Sequence, residues 1–234
     1  MCEDYEVRRR CILEGGGLDE FTKCHKKIWH SLSFYLIDHI EQGTSEWLNW
    51  RKGVIGASDA PTIMGENPWK SPTYLLDEKL GNHKEWGGNE ATREGNRLED
   101  VARQIIAKEF KQKLSPAIVQ DSKEPFLAAS LDALCSKNAT VYEIKCGAKS
   151  YSLTSATDKV PSYYVAQLQH MLMVTQLDSL LYASYRPGEE LIILKIYRDE
   201  SYIKELRKKE IKFMKELVKL GHKVQKKFHG KKVS

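Results

Sequence analysis

Long apolar runs are missing from this 234-residue chain. A helix that crosses a bilayer needs roughly 18 to 20 consecutive apolar residues. The longest stretches here, such as Met171-Leu172-Met173-Val174 and Leu191-Ile192-Ile193-Leu194, are the size of core segments, so no membrane insertion is expected. A secretory signal is missing too, because Met1-Cys2-Glu3-Asp4 is acidic and no basic, apolar and small-residue regions follow in order. Cysteine is sparse: five, at positions 2, 11, 24, 135 and 146. That odd, irregular set argues against a disulfide framework and for a reducing, cytoplasmic location. The sequon Asn138-Ala139-Thr140 then meets no glycosylation machinery. No internal repeat occurs, and low complexity is confined to a lysine-rich end.

What is present suits a globular enzyme-sized chain. Hydrophobic residues make up 41% and charged residues 29%, enough for one packed core or two small ones. The net charge of +5 is unevenly spread. Residues 195–234 hold 14 Lys/Arg against 5 Asp/Glu, a local +9, which leaves the first 194 residues at −4 (+5 less +9). A slightly acidic body thus carries a strongly basic end, either a solvated helix face or a contact for a polyanion.

Residues 1–34 combine Arg8-Arg9-Arg10, Gly15-Gly16-Gly17 and scattered Cys and His without a clean period, and are expected to be a weakly structured extension. Cys11, Cys24, His25 and His30 match no zinc-finger spacing. Residues 35–220 read as one domain and 221–234 as a basic tail. A short helix is predicted over Ser45–Lys52, capped by Thr44 or Ser45 and stopped by Gly53. A second starts at Ala60 behind Ser58 or Asp59, and Gly65-Glu66-Asn67-Pro68 closes that segment. The Gly65 to Ser71 stretch ends in Lys-Ser but lacks the glycine a phosphate loop needs before its lysine, which argues against ATP binding. Further helices are expected over Gly95–Ile106, with Glu99 beside its apolar face, over Ser162–Thr175 and over Ser201–Leu220. Strands are expected at Ala117–Gln120, Phe126–Cys135, Thr140–Cys146, Ser179–Tyr185 and Leu191–Tyr197. Interleaved strands and helices make the class α/β with one central sheet.

One hairpin carries chemistry. In a strand Thr140–Cys146, the period of two puts Glu143 and Lys145 on one face and Tyr142, Ile144 and Cys146 on the other. Asp132 interrupts the otherwise apolar Ser130-Leu131-Asp132-Ala133-Leu134-Cys135 across the turn, a costly placement unless something pairs with it. An ordinary cross-strand ion pair is one answer. Two carboxylates around a divalent cation, with an ammonium holding a water, is the other.

Asp132 with Glu143-Ile144-Lys145 resembles the PD-(D/E)xK nuclease signature. The block Glu46-Trp47-Leu48-Asn49-Trp50-Arg51-Lys52-Gly53-Val54-Ile55-Gly56-Ala57-Ser58-Asp59, the segment Gly95 to Ala102 and Tyr164-Val165-Ala166-Gln167-Leu168-Gln169 follow in the order of the phage lambda exonuclease and YqaJ-type viral recombinase family. The resemblance spans about residues 37–211 and departs in carrying Leu131-Asp132 for the nominal Pro-Asp. It implies a restriction-endonuclease-like core, a central mixed sheet flanked by helices. It implies metal binding by Asp132, Glu143 and the carbonyl of Ile144, a water-orienting or activating Lys145, and Glu99 as an additional acid near the metals. Arg51, Ser58, Ser130 and Gln167 match positions that contact the terminal 5′-phosphate or the scissile strand. The implied activity is exodeoxyribonuclease digestion of duplex DNA ends, 5′ to 3′, with two Mg²⁺ per site and Mn²⁺ as substitute. The implied partners are a single-strand annealing protein and further copies in a trimeric ring, in a phage, prophage or viral setting. An endonuclease with the same site, and a DNA-binding module without catalysis, are the alternatives; the intact acidic set and lysine argue against the second.

Overall fold

The structure is a computed structural model and describes residues 34–83 and 90–229. The Cys11, Cys24, His25 and His30 set and the extension before Phe34 lie outside the described residues. So does the end beyond His229.

A 7-stranded mixed sheet forms the middle layer. Its strands are β1 (Phe34–Ile37), β2 (Ile55–Gly56), β3 (Ser115–Asp121), β4 (Leu127–Cys135), β5 (Thr140–Lys145), β6 (Ser179–Ser184) and β7 (Ile192–Tyr197). The order is β1-β3-β4-β5-β6-β7, with β2 added alongside β4. The pairs β1/β3, β3/β4, β4/β5 and β6/β7 are antiparallel, while β5/β6 and β2/β4 are parallel.

Helices cover both faces. They are α1 (Ser45–Lys52), α2 (Ala60–Met64), α3 (Pro72–Lys79), α4 (Glu90–Glu109), α5 (Ala148–Thr157), α6 (Val165–Thr175) and α7 (Glu200–His229). Single 3-10 turns, Ala57–Asp59 and Ser162–Tyr164, lead into α2 and α6. On one face, Ala102 and Ile106 of α4 pack on Ala133, Tyr142, Ile144 and Ala183. On the other, Leu168, Met171 and Leu172 of α6 join Leu131, Leu134 and Val141, with Ile203, Phe213 and Leu217 of α7 behind them. Helix α6 is apolar nearly all round because it is wedged between sheet and α7, and Met171 to Val174 are fully buried.

Several local signals operate as the sequence suggests. Thr44 caps α1, its Oγ1 accepting from Trp47 N at 3.2 Å, and Gly53 ends it. Gly65 ends α2 in the left-handed region at φ 81°, where a side chain would be strained. Three helical features go beyond the expectation. Helix α3 starts from a Ser71 cap with Pro72 in its first turn. Helix α5 follows β5 directly and has almost no apolar periodicity to announce it. Helix α7 continues past Leu220 to His229.

Helix α7 is also bound by charge. Its Glu210 is fully buried and meets His170 Nδ1 of α6 at 2.7 Å, while His170 Nε2 donates to the Ala128 carbonyl of β4 at 2.9 Å. Burial opposes a charged His170, but the Glu210 carboxylate outweighs it and raises the imidazole above its ordinary value. Arg207 of the same helix reaches Asp121 at 3.2 Å and Glu124 in the β3–β4 turn.

Candidate active site

Strand β4 carries a bulge at the residue that matters most. Ser115 pairs with Leu134 and Ala117 with Leu131, so Pro116 alone faces both Asp132 and Ala133. Proline has no N–H to offer the ladder, which suits it to such a spot. The extra residue changes the alternation along β4 and re-aims Asp132. Its Oδ2 accepts from Ile144 N of β5 at 2.8 Å.

Strand β5 lies inside the sheet between β4 and β6, and Glu143, met on its face by Lys145 and by Gln167 of α6, is only 1% exposed. Its Oε1 receives Lys145 Nζ at 2.6 Å and Gln167 Nε2 of α6 at 2.5 Å. Its Oε2 is buried with no hydrogen-bond partner. A bare carboxylate oxygen in such a place costs free energy comparable to a lost hydrogen bond, about 1 to 3 kcal/mol.

Glu99, on α4, is held by Arg103 Nη2 at 2.7 Å, one turn along the helix. Arg103 also bonds Asp100 at 2.6 Å and, through Nε, the Asp132 carbonyl at 2.7 Å. The guanidinium therefore ties α4 to the bulge. Among the described residues no three acidic, imidazole or thiol side chains converge into a ready-made metal cage. The oxygen set at the centre is two carboxylates, with Glu99 nearby and engaged by Arg103.

Crowding of negative charge is visible in the proton affinities. Burial, then the neighbouring Glu143, push the Asp132 carboxyl well above its usual range. Burial also raises Glu99, against the pull of Arg103. Burial opposes the Lys145 ammonium, but Glu143 and Asp132 outweigh it and raise this lysine, so it stays charged. Its Nζ also sits 4.8 Å from the Tyr164 ring centre, a cation–π contact. The Cys146 thiol, beside the same acids, is pushed up to about 12, chiefly by burial, and stays protonated rather than nucleophilic.

A second cluster lies along the same cleft. Arg51, at the end of α1, donates through Nη2 to Ser58 Oγ at 2.7 Å and lies 4.6 Å over the Trp47 ring. Trp47 Nε1 in turn donates to Ser130 Oγ of β4 at 3.2 Å. Ser58 does not cap α2: its hydroxyl is turned to Arg51, and Asp59 instead accepts from Gly56 N at 2.9 Å. Behind the cluster, the Lys79 ammonium is nearly buried and bonds Asp59 at 2.8 Å, the Arg51 carbonyl at 3.0 Å and the Val54 carbonyl at 2.7 Å. All three of its donors are used. Burial pushes the Asp59 carboxyl up, but Lys79 and Arg51 outweigh it and hold it below its ordinary value.

The nine residues that the resemblance assigns to the site all line this one cleft of about 580 Å³: Arg51, Ser58, Glu99, Ser130, Asp132, Glu143, Ile144, Lys145 and Gln167. Trp47, Arg103, Tyr164 and Lys79 were not assigned roles from the sequence. The Arg103 partnership was legible from its spacing to Glu99 and Asp100. Lys79 left no local signal, because its partners come from a loop 20 and more residues earlier.

The chain is similar to several known proteins. Residues 46–178 match the YqaJ-like viral recombinase domain. The chain is 31% identical over 193 residues to the uncharacterized protein YqaJ of Bacillus subtilis, covering 78% of this chain and 59% of that protein. It is 28% identical over 158 residues to an uncharacterized protein of Acanthamoeba polyphaga mimivirus, covering 61% of this chain and 28% of that one. The chain thus spans less than two thirds of the length of these relatives. Among solved structures, the alkaline exonuclease LHK-Exo of Laribacter hongkongensis superposes with a TM-score of 0.68 at 23% identity, over 80% of this chain and 98% of that one. A phage-related exonuclease from Haemophilus somnus gives 0.56 at 14%, over 73% and 96%. These structures share the fold, a central mixed sheet flanked by helices.

Proposed function

The chain belongs to the YqaJ-like viral recombinase domain family, and from that premise and the geometry of the cleft we propose that it is a Mg²⁺-dependent deoxyribonuclease. It engages the ends of duplex DNA and removes nucleotides 5′ to 3′, leaving a 3′ single strand for recombination or repair by an annealing partner. One observation carries the reading: Asp132, Glu143 and Lys145 share a single cleft with the Arg51, Ser58 and Ser130 cluster. A hydrolytic centre lies beside a basic and hydroxyl-lined anion pocket.

The residues present fit a divalent cation. Glu143 leaves one buried oxygen unpartnered, and burial and the second carboxylate push Asp132 toward its protonated form, a crowding of negative charge that a bound cation would relieve. Mg²⁺ is commonly held by one or two carboxylates, waters and the substrate's own phosphate rather than by an all-protein cage. Asp132, Glu143 and the Ile144 carbonyl would hold it, and Mn²⁺ suits the same hard oxygen donors. Two such ions, when bound, supply an activated water and offset charge on the attacking and leaving oxygens.

The protein's own groups do the rest. Lys145 and Gln167 together fix Glu143 through Oε1, which leaves Oε2 as the oxygen turned to a ligand. Lys145, whose ammonium donates to Glu143, would orient or activate the attacking water or steady a phosphate oxygen. Arg51 presents a planar fork to a terminal phosphate, with the Ser58 and Ser130 hydroxyls adding neutral donors. Trp47 supports the guanidinium from below and restricts its rotation. Since the attacked bond is in the backbone, sequence preference is slight. Incubation of linear and covalently closed duplex with and without Mg²⁺ tests the reading. Mg²⁺-dependent loss of the linear form alone is expected; nicking or cutting of closed circles at a similar rate would refute the requirement for ends.

A further inference from the structure

An aromatic series leaves the cleft and ends at the surface. Lys145 Nζ lies over the Tyr164 ring; Tyr164 meets Tyr163 edge to face, with centres 4.6 Å apart; and Tyr163 meets Trp69 in the same way at 5.1 Å. Trp69 is 68% exposed, more than any other large apolar side chain among the described residues. A T-shaped contact covers little of an indole plane, so most of its surface is open to solvent.

The exposed indole is not on a slack loop. Asn67 Oδ1 accepts from Trp69 N at 2.9 Å and Lys70 N at 3.2 Å, and Asn67 Nδ2 donates to Thr62 Oγ1 at 2.9 Å. The backbone amides of Glu66 and Asn67 both donate to the Pro61 carbonyl, at 2.8 and 3.1 Å. The loop from Gly65 to Lys70 is therefore pinned to α2, and the ring is presented rather than packed. One ammonium lies beside it: Lys149 Nζ is 5.8 Å from the indole centre, whereas Lys70 Nζ, 5.7 Å from the ring of Tyr74, is paired with Glu78 at 2.6 Å.

We propose that Trp69, backed by Tyr163, is a stacking shelf for an unpaired nucleobase of the DNA strand that runs through the cleft. The inference rests on the nuclease reading, which supplies the strand. Continuity with the cleft favours this occupant, because two ring-to-ring steps separate the shelf from the ring that contacts Lys145. Charge favours it too, since the Lys149 ammonium beside the indole suits a backbone phosphate. Stacking is also indifferent to base identity, as a nuclease acting on the backbone requires. The shelf would hold the strand next to the scissile phosphate in an unpaired form, so that a duplex end frays on binding.

The test uses the full-length protein without Mg²⁺ and a duplex with a short single-stranded end containing 2-aminopurine. The wild type is expected to quench that fluorophore on binding. Trp69→Ala is expected to lose the quench and weaken affinity for the frayed end about 5- to 150-fold, the range of stacking on one aromatic ring. Trp69→Phe should retain most of both, and melting temperatures should match, since the indole is outside the core. Equal quench and affinity in wild type and Trp69→Ala would overturn the shelf, and would point to a protein partner for this surface. Affinity lost equally in the Phe and Ala variants would also overturn it. With Mg²⁺ added, wild type that binds and quenches yet digests nothing would refute the nuclease reading while leaving the shelf standing.

Discussion

Replacing Lys79 with methionine probes the support behind the anion pocket. The substitution keeps the length and apolar stem of the side chain but removes an ammonium bonded to Asp59, the Arg51 carbonyl and the Val54 carbonyl. Removing one partner of a buried ion pair costs about 3 to 5 kcal/mol, because the remaining charge is uncompensated. Arg51 stays close enough to contribute to the Asp59 environment, which places the expected loss near the lower end, about 3 kcal/mol. For a chain of this size that lowers Tm by roughly 2 to 4 °C per kcal/mol. The pH dependence identifies the cause. In the wild type, Asp59 is held below its ordinary value, so its contribution is present above about pH 4 and lost as pH falls through the lower, folded value. In Lys79→Met burial prevails, the Asp59 pKa rises above its unfolded value, and the protonated form becomes the cheaper one to bury. The gap between variant and wild type should therefore narrow as pH falls from 7 toward 5. Urea titrations at both pH values measure it. A loss under about 1 kcal/mol at pH 7, or a gap that widens on acidification, would refute the reasoning.

Three further outcomes are expected. Arg51→Lys should lower discrimination between 5′-phosphorylated and 5′-hydroxyl ends, because a point charge cannot replace a bidentate fork; competition between the two end types measures it, with wild-type discrimination as the contrary result. Glu210→Ala leaves His170 buried without its carboxylate and should cost about 3 to 5 kcal/mol at pH 6. Because the His170 pKa is raised, that contribution is full below about pH 6.5 and declines as pH rises through the folded value, so denaturation at pH 6 and 9 should differ less in the variant than in the wild type. Truncation after Gly221 removes Lys223, Lys226, Lys227, Lys231 and Lys232. It should weaken duplex binding and flatten its dependence on salt; an unchanged slope would deny this end any contact with phosphate.

The parts legible in the sequence are those with local causes. Thr44 and Gly53 bound α1 as written, and the alternation in Thr140–Lys145 placed Glu143 and Lys145 on one face. The Asp132 outlier in an apolar strand pointed to the centre of the cleft. What was not legible depends on contacts distant in the chain. The bulge opposite Pro116 appears only when β3 and β4 pair, and it sets the direction of Asp132. Glu210 looks like a solvated helix acid until α7 lies against His170. Helix α5 lacks an apolar stripe, so no period reveals it. Lys79 and Trp69 are missed for opposite reasons, since one is a charge buried by distant carbonyls and the other an aromatic ring left outside the core.

The central claim is that Glu143, with Asp132, is the metal-binding heart of a hydrolytic site. It is tested most directly by digestion of linear, 5′-phosphorylated duplex with Mg²⁺, comparing the wild type with Glu143→Ala at matched folding by circular dichroism. Progressive release of nucleotides by the wild type, and loss of at least a thousandfold in the variant (about 4 kcal/mol of barrier), is the expected result. Undiminished digestion by Glu143→Ala would contradict the account.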